Sequence, residues 1–204
     1  LAFLTDLPLI VAPQRMFTTI DSFPLMAVPF FVLSGGLMQA GGISKRLIRL
    51  ADACVGHLTG GLAIVVIITS MFFAAVSGSS AATITALGVI LIPAMVEKGY
   101  DKSYAASVQA CSGQMGVIIP PSIPMVVYAV ATETSIADLF KAGLFPGILM
   151  GASLIIFCYF TCKRRGYVGN STRATGREKL LALKDAVWAI FMPVIILGGI
   201  YSGW

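Results

Sequence analysis

Apolar runs separated by short polar or charged turns organise this chain. They are FPLMAVPFFVLSGGLMQAGG at 23–42, GLAIVVIITSMFFAAV at 61–76, AATITALGVILIPAMV at 81–96, a run over 103–131 and ADLFKAGLFPGILMGASLIIFCYFTC at 137–162. They mix Leu, Ile, Val, Met and Phe without strict alternation, which predicts helices rather than the strands of a polar-lumen barrel. Crossing ~30 Å of hydrocarbon takes about 20 helical residues. The 23–42 and 137–162 runs reach that length, whereas 61–76 and 81–96, at about 1.5 Å per residue, reach only about 24 Å each. The stretch to about Ala12 is shorter still and reads as the tail of a helix begun earlier; the last run, PVIILGGIYSGW, reads as one that continues. Between the first two spans, ISKRLIRLADACVGHL at 43–58 sets Ile43, Leu47, Leu50, Ala51 and Cys54 opposite Lys45, Arg46, Arg49 and Asp52. That pattern predicts an amphipathic helix on the membrane surface.

Two interruptions break the apolar pattern. The polar stretch VSGSSAAT at 76–83 separates the two short runs, which therefore read best as a re-entrant hairpin over 61–96 with a polar tip, two short tilted spans being the alternative. IPPSIP then breaks the 103–131 run. Proline lacks an amide donor and pushes its predecessor away from helix, so Pro120, Pro121 and Pro124 predict two half-helices with an unwound middle. Singly, each break has a plain explanation as packing or a kink. As interruptions at 77–83 and 116–122 in consecutive elements at similar depth, they expose carbonyls and helix ends, the arrangement by which secondary transporters hold ions near the midplane. Hydroxyl and carbonyl oxygens suit a hard cation such as sodium. The glycines Gly143, Gly147 and Gly151, four residues apart, predict close helix packing.

Composition agrees with a membrane protein: 57% of residues are hydrophobic and 11% charged, against about a quarter charged in soluble domains. The net charge of +5 reflects topology rather than nucleic-acid binding. If the hairpin base and a basic loop at 163–185 share a side, Lys45, Arg46, Arg49, Lys98, Lys102, Lys163, Arg164, Arg165, Arg173, Arg177, Lys179 and Lys184 lie there, and only Arg15 and Lys141 lie opposite. The bias of basic residues makes that side cytoplasmic. Cys54, Cys111, Cys158 and Cys162 form no CxxC pair and read as small packing residues. No GxxxxGK[ST] motif for an ATPase occurs.

The segments FPLMAVPFFVLSGGLM, GHLTGGLAIVVIITSMFFAAVSGSSAAT, IPAMVEKGY, GVIIPPSIPMVVYAV and LFKAGLFPGILMG together resemble the large membrane subunit of tripartite ATP-independent periplasmic (TRAP) transporters of the dicarboxylate type. The likeness covers nearly the whole chain from about Pro8. It implies an all-α integral membrane protein with the ion-transporter-superfamily elevator fold, of which this chain supplies one inverted repeat. Residues 1–60 would be scaffold helices and an arm helix, 61–135 part of the transport domain with the broken helix at 103–131, and 136–204 a scaffold helix, the basic loop and the next helix. The resemblance places sodium between Ser77 and Ser79 at the tip and Gly116, Ile119 and Pro121 at the break, the last three acting through carbonyls. Gly78, Ser80, Thr83 and Ser122 are weaker candidates for supporting or substrate contacts. The implied partners are a small membrane subunit, a periplasmic substrate-binding protein and a small organic acid. The implied location is the cytoplasmic (inner) membrane of a bacterium or archaeon, crossed several times.

Other classes remain. An intramembrane serine hydrolase would pair the SGSS stretch with His57, the only histidine; a non-transporting scaffold subunit explains the hydrophobicity but not the paired breaks; a channel would lack coupled uptake.

Overall fold

The computed structural model describes residues 10–11, 13–14, 23–169 and 174–202. Arg15, Arg173 and nearly all of the stretch before Ala12 lie outside the described residues. Among those described, every regular element is a helix. A 3-10 turn at Phe23–Met26 leads into α1 (Ala27–Ala40), followed by α2 (Ile43–Val55), α3 (Gly61–Ser77), α4 (Ser80–Glu97), α5 (Lys102–Gly113), the short α6 (Met115–Ile118), α7 (Ile123–Thr132), α8 (Ile136–Arg165) and α9 (Gly176–Ser202). The α4 helix, the α5–α7 stretch, α8 and α9 are each long and apolar enough to cross a membrane. The α1 and α2 helices bend by 67° at their junction, and α3 is a shorter apolar helix. The chain is a multi-pass membrane protein.

The hub is α3. It is apolar on every face, so burying it takes partners all round, and it packs against α1, α2, α4, α5, α6, α8 and α9. Val65, Val66, Ile67 and Phe73 are all but inaccessible, and the last three share a core with Leu87, Leu91 and Met95 of α4, Val108 of α5 and Met115 of α6. The α8 glycines let that helix approach closely, as their spacing predicts. A Cβ at Gly147 would lie 2.7 Å from Ile119 Cγ1, while Gly143 faces Met125 and Gly151 faces Met71.

Three details differ from the sequence expectations. The buried face of α2 runs through Ser44, Leu47 and Ala51, with Ile48 packed against the core, while Cys54 is exposed. The face is turned because α2 is held by α3 and α9 together. Of the four cysteines only Cys158 and Cys162 are buried packing residues; Cys111, like Cys54, is exposed. The basic segment at 163–185 is mostly helix ends rather than loop. Lys163, Arg164 and Arg165 form the last turn of α8, where cations complement the helix dipole, and Gly166 ends it at φ +73. The start of α9 is closed by the Thr175 amide donating to Glu178 Oε2 at 2.8 Å.

At the opposite end of α3 from the tip, aromatic rings tie three segments together. Tyr167, just after α8, stacks on Tyr100 with centroids 4.4 Å apart, and its hydroxyl accepts from the Asp101 amide at 3.1 Å. Its carbonyl accepts from the Gly60 amide at 3.2 Å. Burial pushes the Tyr100 phenol up to about 12, so that ring is neutral across the physiological range. Stacking and the lost hydrogen bond together amount to about 2 kcal/mol. Tyr167→Ala is therefore expected to lower the thermal midpoint of the purified protein by a few degrees, with Tyr167→Phe costing less than half as much; equal melting of both variants and wild type would remove the cluster's structural role.

Candidate functional site

The tip begins where α3 stops. Gly78 adopts φ +60, a left-handed conformation that favours glycine, and its amide closes the helix on the Ala74 carbonyl at 3.0 Å. Ser79 is extended, and its side chain caps α4 by accepting from the Ala82 amide at 3.4 Å. Thr83 turns back onto the tip. Its hydroxyl donates to the Ser79 carbonyl at 2.8 Å and lies 3.0 Å from Ser77 Oγ. The Thr83 amide also donates to the Ser79 carbonyl at 3.1 Å and Ser77 Oγ lies 3.4 Å from it, so that oxygen faces three donors. With the Thr83 proton committed there, the Ser77 proton has Thr83 Oγ1 at 3.0 Å and the Ser79 carbonyl at 3.4 Å as acceptors, and the Ser77 lone pairs face only the Ser79 amide at 3.5 Å. Spare acceptor capacity at the tip thus lies on the serine hydroxyl oxygens.

The break runs from Ile119 to Ser122, later than the 116–122 stretch expected, because the Ile119 amide still reaches the Met115 carbonyl at 2.8 Å and keeps α6 a helical turn. Beyond it, prolines remove donors. In a continuous helix the Gly116 carbonyl would accept from residue 120 and Val117 from residue 121, both prolines without N–H. Val117 regains a donor in Ser122 Oγ at 2.6 Å. The amide that Ile119 would use, that of Ile123, goes instead to the Gly78 carbonyl at 3.0 Å. Pro120 thus removes the helical donor of the Gly116 carbonyl, and the turn onto Gly78 takes away that of Ile119. The Pro120–Pro121 bond is cis.

Tip and break meet backbone to backbone. A Cβ at Gly116 would lie 2.7 Å from both the carbonyl carbon and oxygen of Ser79 and 2.8 Å from the Ser80 amide nitrogen. A Cβ at Gly78 would lie 2.8 Å from the Pro121 carbonyl oxygen. The structure thus gathers Ser77, Gly78, Ser79, Ser80 and Thr83 against Gly116, Pro121 and Ser122. Ile119 stands in the same extended stretch, its side chain turned onto Gly147. Thr83 and Ser122 are wholly buried, their hydroxyls bracing the tip and the break internally. Ser79 and Ser80 are half-buried. No charged side chain belongs to either interruption.

Sequence reasoning overlooked three polar residues beside this junction. Ser70 Oγ donates to Ser112 Oγ at 3.2 Å, Ser112 donates to the Gln109 carbonyl at 3.1 Å, and Gln109 Nε2 reaches the Thr83 carbonyl at 3.5 Å. A carboxamide inside an apolar run, three residues from a serine, was the available signal. It also missed Gly35, where α1 passes the tip with a would-be Cβ 3.4 Å from Ser77 Cα.

Behind the break, a cavity of about 470 Å³ is lined by Met71, Phe72, Ile119, Pro120, Leu144 and Ile148 among others. Its walls are apolar and offer nothing to an organic anion. The Ser–His alternative fails on distance. His57 precedes α3 and Ser77 ends it, so a 17-residue helix, about 25 Å long, lies between them.

Residues 1–204 match the tripartite ATP-independent periplasmic transporter, DctM component. The chain is 49% identical over 198 residues to the isethionate TRAP transporter permease protein DctMQ of Oleidesulfovibrio alaskensis, covering 97% of this chain and 31% of that protein. It is 47% identical to the C4-dicarboxylate TRAP transporter large permease protein DctM of Pseudomonas aeruginosa, covering 93% of this chain and 44% of the relative. It is 44% identical to the sialic acid TRAP transporter large permease protein SiaM of Vibrio cholerae, with 94% and 45% covered. The chain spans between about a third and a half of the length of these relatives. Matched along its whole length and closely similar to several large permeases, it belongs to the DctM family of TRAP transporter permease subunits.

Proposed function

We propose that this chain forms one inverted repeat of a sodium-coupled, binding-protein-dependent importer of small organic acids that works by an elevator movement in the bacterial or archaeal inner membrane. Homology supports the transporter class: relatives are named for C4-dicarboxylate, sialic acid and isethionate. It also supports a small membrane subunit and a periplasmic binding protein as partners. The observation that carries the ion reading is the apposition of Gly116 and the Ser79–Ser80 peptide, beside the Gly116 carbonyl that Pro120 deprives of its helical donor and the Ile119 carbonyl whose donor is turned onto Gly78.

A cation held there draws on Ser77 Oγ, Ser79 Oγ and the Gly116, Ile119 and Pro121 carbonyls. This oxygen-only set suits sodium, and its neutrality suits a monovalent ion better than a doubly charged one. An unsatisfied carbonyl in hydrocarbon costs roughly several kcal/mol, a cost that an ion offsets. A transmembrane potential of 100 mV supplies about 2.3 kcal/mol for each positive charge moved inward. That is sufficient to drive accumulation without ATP. The α3–α4 pair, joined by Gly78 and Ser79 alone, is read as a hairpin that enters and leaves on the cytoplasmic side.

The packing favours one change to the expected division of the chain. The α8 helix lies along the break through Gly143 and Gly147 and reaches α3 at Gly151, and the aromatic cluster pins the segment after it to the hairpin base. It is better grouped with the moving 61–135 part than with the scaffold.

The test is substrate uptake by proteoliposomes holding the intact transporter and its binding protein. An inward sodium gradient is expected to drive accumulation, and Ser77→Ala with Ser79→Ala to raise the half-saturating sodium concentration about tenfold or more, the loss of two charge-assisted contacts. Uptake indifferent to the gradient sinks the ion reading.

A further inference from the structure

Gln109 is the one carboxamide side chain buried among the described residues, at 1% exposure. It sits on α5, before the break, and reaches across to α4. Its Cγ lies 3.5 Å from the position a Cβ would take on Gly88, and its Nε2 donates to the Thr83 carbonyl at 3.5 Å. Only the amide nitrogen can face that carbonyl, since Oε1 has no proton to give. Oε1 itself is buried without a hydrogen-bond partner. For stability alone this is a poor choice: an apolar side chain of the same shape would fill the gap beside Gly88 without burying an unpaired acceptor. What a methionine would not supply is the donor to Thr83.

Thr83 is the residue whose hydroxyl holds the Ser79 carbonyl and abuts Ser77. Gln109 therefore ties the first turn of α4 to the helix that carries the break. A few residues on, Gly113 of α5 packs tightly against Ile84 of α4, so the two contacts together fix how far α4 can slide along α5. That register also sets the separation between the Ser79 peptide and Gly116, where a Cβ would have only 2.7 Å. Ion affinity and discrimination between ions of different size both depend on such separations to within tenths of an ångström.

We propose that Gln109 is a positioning residue that sets the sodium affinity and ion selectivity of the tip site by holding Thr83 from the neighbouring helix. The inference rests on the sodium reading above. It makes no contact with the ion; it acts through Thr83 and the serines that Thr83 supports.

The experiment measures uptake by the intact transporter against sodium and lithium concentration, together with thermal stability, for wild type, Gln109→Met and Gln109→Glu. Gln109→Met is expected to melt no lower than wild type, to need about tenfold more sodium for half-maximal uptake with its maximal rate preserved, and to discriminate less between sodium and lithium. Gln109→Glu is expected to behave like wild type at acid pH, where the carboxylic acid donates to the Thr83 carbonyl, and to lose sodium affinity as pH rises and the ionised group can no longer donate. The wild-type sodium affinity should stay flat over the same range. Unchanged sodium dependence in both variants overturns the proposal. So does a fall in stability and maximal rate with no change in half-saturation or pH dependence, which makes Gln109 a packing residue. If wild-type uptake ignores sodium altogether, the failure belongs to the ion reading itself.

Discussion

Gly116→Ala is expected to cut sodium-driven uptake by about a hundredfold while leaving the protein in the membrane and foldable. The added methyl would lie 2.7 Å from the carbonyl carbon and oxygen of Ser79 and 2.8 Å from the Ser80 nitrogen. These are backbone atoms at the start of a helix and cannot swing aside as the end of a flexible side chain would. Restoring an ordinary contact of about 3.4 Å moves the tip back by about 0.7 Å, several times the ~0.2 Å tolerance of a metal–oxygen distance. Losing two or three oxygen contacts at a site of this kind is worth about 3 kcal/mol, which is about a hundredfold. Initial uptake rates under an inward sodium gradient, normalised to reconstituted protein, measure it. A rate within threefold of wild type would show that the tip tolerates displacement and that the ion lies elsewhere.

Gly78→Ala is expected to have the next largest effect, and it should appear in stability as well as in transport. The residue holds φ +60, which costs a residue with a Cβ about 1–2 kcal/mol, and its new methyl would press on the Pro121 carbonyl at 2.8 Å. The displaced stretch also carries the Ile123 amide, which donates to the Gly78 carbonyl at 3.0 Å. A loss of about 3 kcal/mol is expected, read as a thermal midpoint several degrees lower together with a raised sodium requirement. Gly99 provides the internal control. It holds φ +84 between α4 and α5 but has no atom within 4 Å of its would-be Cβ, so Gly99→Ala should carry the conformational cost alone and leave sodium dependence unchanged. Equal effects at the two glycines would mean that strain, not the tip–break contact, governs both.

Much of this arrangement was legible in the sequence because its signals are local. Apolar runs at 61–76 and 81–96 mark α3 and α4 to within a residue or so, since a left-handed glycine and a capping serine must stand where two helices join in so few residues. The prolines at 120, 121 and 124 locate the break, and the α8 glycines locate a close packing face. Other features depend on what lies across the contact. The buried face of α2 follows α3 and α9, which amphipathic spacing alone does not specify, so Cys54 shares the apolar stripe of the sequence but lies off the buried face. Lys163 to Lys184 read as loop by charge, yet most are helix ends, because basic residues extend α8 through its dipole until Gly166 stops it. Gln109 escaped notice because, among the several polar residues of α5, it gains meaning only when Thr83 is seen across from it.

On the proposed function, the tip and the break together hold a sodium ion. Equilibrium binding of radioactive sodium to the purified intact large subunit, in wild type and in Gly116→Ala, addresses it most directly, with thermal melting confirming that both remain folded. The alanine variant is expected to bind one ion fewer per subunit at a concentration that saturates wild type. Equal stoichiometry and equal affinity in the two proteins would contradict it.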